Sequence, residues 1–325
     1  KTTVLIEVIE QLIEKNENVL ATADSNIAVD NLLEFLISRG VPVVRIGHPA
    51  RVTGALREHT LDSLMETDNI YRESEELRNR AFRIKDKQKS LTYPSQKYRR
   101  GMSNSMIKKL ASQKRGSRGV SPEKIKEMSR WIQLQEKADR LFQKSDELKE
   151  EAIDRVFESV SVVCTTNSSA GSEIMDSREF DSVIIDEATQ ATAPSCIIPI
   201  TKGKRVIMAG DHMQLPPTIK SREAARKGLK ITLFELLAGK FGNNILDLLR
   251  VQYRMHEDIM NFPNMKLYNN NLIAADSVRN HTLHDFDSYE TGKYNDIDKI
   301  LSPEYPFVLI DTAEIESYEY SRKDS

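Results

Sequence analysis

The stretch Ser182-Val183-Ile184-Ile185-Asp186-Glu187 constrains the fold more than any other. Its apolar, β-branched run does not alternate with polar residues, which suits a strand covered on both faces of a parallel sheet. Ligands of such sheets sit just beyond the carboxyl ends of the strands. Asp186 and Glu187 fall at that edge, where one carboxylate can hold a divalent cation and its neighbour can orient and deprotonate an attacking water. Taken alone, the pair is better read as a strand followed by an acidic helix start.

The first residues, Lys1-Thr2-Thr3, add a second half to such a site. A phosphate-binding loop places glycines, then Lys and Ser or Thr, at the head of a helix, so that backbone N–H groups, the ammonium and the hydroxyl meet phosphate and its metal ion. Only the Lys-Thr end is present, and by itself it fits a solvated lysine. The following pattern supports the loop reading: Val4, Val8 and Leu12, with Leu5, Ile9 and Ile13, form a helical stripe, and Val19–Thr22 reads as a strand. The chain is therefore expected to begin inside a phosphate loop and, by itself, to hold ATP poorly.

Asp24-Ser25-Asn26 is a good cap for a helix running to Arg39, which Gly40 closes, and Val43-Val44-Arg45-Ile46 is another strand. The α/β rhythm then stops. Ile70, Leu77, Ile84 and Leu91 recur every seven residues, with Ala81 between, and Ser121-Pro122-Glu123 opens a second long helical pattern marked by Ile125, Met128, Ile132, Ala138, Leu141, Leu148 and Ala152. These predict a two-armed helical hairpin whose arms are ordinary solvated coiled-coil faces, with Trp131 as packing. Its tip, Thr92 to Gly119, carries Lys97, Arg99, Arg100, Lys108, Lys109, Lys114, Arg115 and Arg118. The rhythm resumes with strands at Val160–Cys164, at the acidic run and at Arg205–Ala209, so the hairpin is an insertion. Gly210 and Pro216-Pro217 force a loop that presents Asp211 and Gln214 at the same sheet edge.

Charge distribution points to a polyanion. Residues 78–130 hold 17 Lys and Arg against three acids, a local +14 in a chain of net −2. Such asymmetry indicates nucleic acid or another anionic partner. No apolar run approaches the roughly 20 residues needed to span a bilayer, and with no secretion pattern the expected setting is cytoplasmic, or nuclear in a eukaryote. Cys164 and Cys196 lack metal or redox spacing, and the six histidines do not cluster, so no zinc site is read.

Asp-Glu-Ala-Thr-Gln at 186–190, Gly-Asp-His-Met-Gln-Leu-Pro-Pro at 210–217 and Val-Gln-Tyr-Arg-Met-His at 251–256 resemble motifs II, III and IV of superfamily-1 helicases. Within them the resemblance is to the up-frameshift branch, particularly the immunoglobulin-mu-binding-protein type and its archaeal relatives. Ala23 to Asn31 looks like motif Ia, with Asp24 where the family usually has Pro. The resemblance implies an α/β fold: a RecA-like phosphate-loop NTPase lobe (1–64 and 158–243) with an inserted helical hairpin (65–157), plus the start of a second RecA-like lobe (244–325) that includes a strand pattern at Phe307–Asp311. It further implies that Lys1 binds phosphates, Thr2 and Asp186 hold Mg²⁺, Glu187 activates water, and Gln214 and Arg254 reach the γ-phosphate. Tyr253 would stack on the base of ATP, while Ser25, Asn26, Thr165 and Thr166 would touch the nucleic-acid backbone. The implied activity is ATP-driven movement along single-stranded or duplex DNA or RNA, in the five-prime to three-prime class, by a cleft that closes on ATP and reopens after hydrolysis. Two alternatives remain open on sequence: an ATPase that clamps nucleic acid without unwinding it, and an inactive nucleic-acid-binding fragment.

Overall fold

The computed structural model describes residues 1–47, 54–285, 302 and 305–309. It divides into two compact units, Lys1–Leu236 and Leu237–Ser325. The first unit is built on five strands, β1 (Val19–Ala23), β2 (Val43–Ile46), β3 (Val162–Thr166), β4 (Phe180–Asp186) and β5 (Gly203–Met208), in the order β2-β3-β1-β4-β5. Every neighbouring pair is parallel. All five carboxyl ends therefore lie along one edge, as the acidic run requires.

Both faces of β1 to β4 are covered, whereas the edge strand β5 leaves Lys204, Arg205 and Val206 exposed. Val19, Ala21, Val162, Cys164 and Ile184 pack with Leu5, Ile9, Leu32 and Leu36 of α1 (Thr2–Glu14) and α2 (Asn26–Ser38). On the other face, Leu20, Val44, Val163, Val183 and Ile185 meet Leu61 and Met65 of α3 (Leu61–Thr67) and, from a long helix, Ile153 and Val156. This double burial is why the strands read as apolar runs. β5 begins at Gly203, before the expected Arg205. A Cβ at Gly203 would come within 2.4 Å of Val183 Cγ2, so glycine lets β5 close up on β4.

The arms of the hairpin are α4 (Asn69–Gln88) and α7 (Pro122–Ser159). Asp68 caps α4 by accepting from Ile70 N and Tyr71 N, and Ser121 caps α7 by accepting from Lys124 N. Their seam differs from the expected row of large apolar residues. The buried row on α4 is Ser74, Ala81 and Gln88, flanked by half-buried Ile70, Leu77 and Ile84, and Leu91 lies beyond the helix. Ser74 Oγ donates to Ser145 O at 2.8 Å and Gln88 Nε2 donates to Trp131 O at 3.0 Å. Such bonds are made only when donor and acceptor are opposite each other, so they fix the register of the arms.

The tip is a packed cap. Two short helices, α5 (Gln96–Arg99) and α6 (Asn104–Ser112), enclose Met102, Ile107, Val120, Ile125, Met128 and Ile132 as a core of their own. After β4, α8 (Ala193–Ile200) leads back to β5, and the short α9 (Arg222–Ala224) and α10 (Leu233–Phe241) follow. In the second unit, β6 (Val251–Gln252) pairs in parallel with β7 (Ile273–Ala274), and α11 (Glu257–Leu267) connects them. Phe307–Leu309 form no strand; Ile310 and Asp311 of that expected strand lie outside the described residues. Among the described residues no helix is long and apolar enough to cross a membrane.

Candidate active site

Sheet register brings the site together. Ala23 of β1 stands beside Thr166 of β3 and Asp186 of β4, so the residues after these strands emerge side by side. Asp186 is buried, and Glu187 immediately turns into the left-handed region with φ 52°. A non-glycine residue there costs on the order of 1 kcal/mol and persists only where surroundings enforce it. Three bonds do so: Glu187 N donates to Asp186 Oδ1 at 2.8 Å, Gln190 N to Glu187 O at 2.8 Å, and Gln190 Nε2 to Glu187 Oε2 at 3.1 Å.

The turn aims Glu187 at the head of α1. Lys1 Nζ lies 3.0 Å from Asp186 Oδ1 and 2.5 Å from Glu187 Oε1. Lys1 stands at the position before α1, whose buried Leu5, Ile6, Ile9 and Leu12 anchor the helix on the sheet, and Thr2 is its first residue. One ammonium, two carboxylates and a helix N-terminus thus share a few ångströms, a combination that binds anions and hard cations together.

The loop after β5 is latched to the loop after β4. Ala188 N donates to Ala209 O at 2.9 Å, and Asp211 N donates to Thr189 Oγ1 at 3.1 Å. Between them Gly210 approaches so closely that a Cβ would lie 2.7 Å from Thr189 Cγ2 and 2.9 Å from Thr189 N. Asp211 in turn accepts from Met213 N at 3.1 Å and from Gln214 Nε2 at 2.6 Å, which positions the exposed amide of Gln214. Thr189 thus ties the two loops together.

The four residues expected at the nucleic-acid backbone are placed differently from one another. Ser25 is exposed and caps α2, accepting from Ala28 N at 3.2 Å. Asn26 Oδ1 accepts from Arg45 Nη2 at 2.9 Å. Thr165 is buried and donates to Ile46 O at 2.9 Å, while Thr166 is buried and donates to Ser169 Oγ at 2.9 Å. Asp24, the departure from the family pattern, accepts from Ser195 Oγ at 2.6 Å, so its carboxylate is tied to α8. In the second unit, Tyr253 is 72% exposed and Arg254 is exposed. Gln252 shapes their turn, its Oε1 accepting from Arg254 N at 2.8 Å and from Met255 N at 3.0 Å. His256 Nδ1 accepts from Asp258 N at 3.0 Å and caps α11.

Comparison with known proteins decides the family. One AAA-domain family model matches residues 1–222, and a second matches residues 229–325. The chain belongs to the AAA-domain family. Its similar proteins include an uncharacterized ATP-dependent helicase of Methanocaldococcus jannaschii, 44% identical over 319 residues that cover 97% of this chain and 47% of that protein. The DNA polymerase alpha-associated DNA helicase A of Schizosaccharomyces pombe is 32% identical over 302 residues, 91% of this chain and 39% of that protein. The DNA-binding protein SMUBP-2 of Rattus norvegicus is 31% identical over 336 residues, 100% of this chain and 29% of that protein. These relatives put the AAA domain in the up-frameshift-like branch of superfamily 1 that its motifs resemble. The chain spans about half or less of the length of these relatives.

Three residues of this AAA domain escaped sequence reasoning. Thr189 was legible only as part of a motif, because its partner is contributed by the loop after β5. Arg45 is 1% exposed and donates from Nε to Asp30 Oδ1 at 3.1 Å. An arginine inside the apolar run Val43–Ile46 does signal a buried pair, since buried charge must be compensated, but it does not name the partner. Asn167 is buried at the sheet edge; its N donates to Ala23 O at 2.9 Å and its Nδ2 to Ser195 Oγ at 3.3 Å, and its Oδ1 has no partner among the described residues.

Proposed function

We propose that this AAA domain is the motor of an ATP-driven helicase or translocase. The observation that carries the reading is the convergence of Lys1, Asp186 and a strained Glu187 at the carboxyl edge of a parallel sheet. Lys1 would bind the β- and γ-phosphates, and Thr2 with Asp186 would hold Mg²⁺. Mg²⁺ keeps several waters and takes substrate phosphate oxygens as ligands, so one buried carboxylate and one hydroxyl are an adequate protein contribution. Bound there, the ion would neutralise charge on the transferring phosphoryl group. Glu187 is the general base for the attacking water; its acceptor oxygens are aimed by Gln190, and its left-handed turn separates its task from that of Asp186. Gln214, held by Asp211, is assigned to the γ-phosphate. Tyr253 and Arg254 keep the roles given by the resemblance, base stacking and γ-phosphate charge.

Nucleic acid is the proposed track. Exposed Ser25 and neighbouring Asn26 are suited to phosphate or sugar contacts, which position a strand without reading its sequence. Thr165 and Thr166 would take part once their hydroxyls exchange present acceptors for phosphate. DNA is the first substrate to test, since two of the relatives are named for it. Glu187→Gln in the full-length protein keeps size and hydrogen bonding while removing the base. ATP affinity should survive and steady-state hydrolysis should fall by roughly 10²–10⁴-fold. Near-normal turnover in that variant removes Glu187 from the chemistry and the site assignment with it.

A further inference from the structure

α7 carries a row of charge that the motor does not use. Lys126, Arg130, Gln133, Lys137, Arg140 and Lys144 follow one another at alternating spacings of four and three, so they share one face, and all are exposed. Continued at the same spacing, the row becomes Glu147, Glu151, Asp154 and Glu158, also exposed. The sign changes between Lys144 and Glu147, which pair at 3.5 Å. On α4, Glu73 and Glu76 precede Arg80, Arg83 and Lys87 in the same manner. Ser74 bonded to Ser145 and Arg78 paired with Asp146 bring the two reversals to about the same level of the hairpin.

A solvated helix face usually mixes signs, because opposite charges three or four apart stabilise the helix and like charges oppose it. Along this row like charges are grouped, while Glu123, Glu127 and Glu136 flank it three or four residues before Lys126, Arg130 and Arg140. Lys126, Arg130, Lys137 and Arg140 form no ion pair among the described residues, whereas nearby Lys108 and Lys144 are paired.

The acidic and basic halves also stand in different places. α7 enters β3 after only Val160 and Ser161, and its Ile153 and Val156 lie in the sheet cluster. The helix therefore runs back over the sheet, antiparallel to the strands. A five-residue strand is about 17 Å long, and the 38 residues of α7 extend about 57 Å. The acidic half covers the sheet, and the basic half, about 27 Å from Lys126 to Lys144, projects beyond the carboxyl edge that holds Asp186, Asn26 and Thr166.

We infer that the face of α7 from Lys126 to Lys144 is a docking rail for the backbone of double-stranded nucleic acid approaching that edge. Its complement is a polyanion with regularly spaced charge. A duplex fits better than a single strand because the row is straight and contains no aromatic side chain. Single-strand sites stack exposed bases on aromatic rings, while a duplex turns its bases inward and offers phosphate alone. The inference rests on the nucleic-acid track proposed above.

The test uses the full-length protein with Lys126→Gln, Arg130→Gln, Lys137→Gln and Arg140→Gln combined, all at exposed positions. Fluorescence anisotropy across a salt series would follow a blunt duplex of about two helical turns and a single strand of equal length. Duplex affinity should fall at least about tenfold, and the slope of log K against log salt should become shallower by about 3 to 4, at roughly 0.9 per phosphate contact. Single-strand affinity, and stimulation of ATP turnover by the single strand, should stay within about twofold, well below a one-contact change in log K at low salt. Equal losses on both forms overturn the duplex assignment in favour of a single-strand track, and unchanged affinity for both overturns docking altogether. Failure of any nucleic acid to stimulate the unmodified protein sinks the proposed function instead, and the duplex slopes still decide the rail.

Discussion

Glu187 takes a left-handed backbone, normally left to glycine, next to a buried Asp186, and the surrounding bonds hold it there. That arrangement is useful only if the direction of its carboxylate matters, which is why the residue is assigned to the chemical step rather than to binding. Thr189 joins the turn after β4 to the loop after β5. Thr189→Val keeps the shape and deletes the acceptor of Asp211 N. Stability should drop by about 1 kcal/mol, and nucleic-acid-stimulated turnover should drop with nucleotide affinity little changed; a stability loss with normal stimulated turnover would make the latch merely structural. Arg45 poses a different question, because it is a charge inside the core. Asp30→Asn leaves its guanidinium buried without a counter-charge and should cost about 3–5 kcal/mol, whereas Asp30→Leu with Arg45→Met should recover much of that loss. Thermal unfolding of the three proteins checks both statements.

Among the elements, the hairpin departs most from its sequence reading. The tip carries eight closely spaced cations, yet a small apolar core organises it. Arg100 and Arg118, both left-handed at φ 45° and 51°, are each followed by a glycine, and each donates from Nη1 to the backbone O of the other. A Cβ on Gly101 or Gly119 would lie 2.6 Å from the opposing guanidinium, so the clasp needs both glycines. Arg99 donates from Nε to Pro94 O at 2.8 Å, Lys108 pairs with Glu136, and Lys124 stands 5.0 Å over the Tyr98 ring. Tyr93 packs edge-on against Trp131 at 5.0 Å. Much of the basic tip is thus structural. Lys109, Lys114 and Arg115 form no ion pair among the described residues. Replacing these three by Ser should weaken single-strand binding for all sequences alike and make the salt slope shallower by about 2, using about 0.7 per contact; an unaltered slope would leave the cap without a nucleic-acid role.

Across the whole molecule, two groups of titrating residues report on folding. Burial pushes the thiols of Cys164 and Cys196 up to about 12 and about 11. Both are neutral at pH 8, so thiol reagents should modify neither in the folded protein, and labelling should track global unfolding. Fast native labelling of Cys164 would place it outside the sheet core. At the amino end of the strands, a hydrogen bond from Arg205 lowers Glu17, and one from Lys204 lowers Asp181. Carboxylates lowered on folding stabilise the protein above their ordinary range, and that contribution is lost as pH falls through their folded values. Stability should therefore decline on the acid side, below about pH 4.5, with Arg205→Gln softening the decline. Equal acid limbs in both proteins would dismiss the ion pair as a contributor.

Sequence by itself determined the parallel α/β sheet, the insertion and the edge at which chemistry collects. Those features follow from local physics: runs of β-branched residues buried on both faces, helical periodicity in α1 and the arms, and Gly and Pro breaking the chain after β5. Only the tertiary structure decided which groups meet. Lys1 reaches Asp186 across 184 intervening residues, Thr189 receives Asp211 from the loop after β5, and Thr165 turns its hydroxyl inward to Ile46. Strand order and register set these distances, and they depend on how both sheet faces are packed at once. The hairpin seam shows the same limit: a heptad of large apolar residues with Ala81 between was visible, but burial of Ser74 and Gln88 depended on the rotation of α4 against α7. That rotation is a property of two surfaces, which neither helix specifies alone.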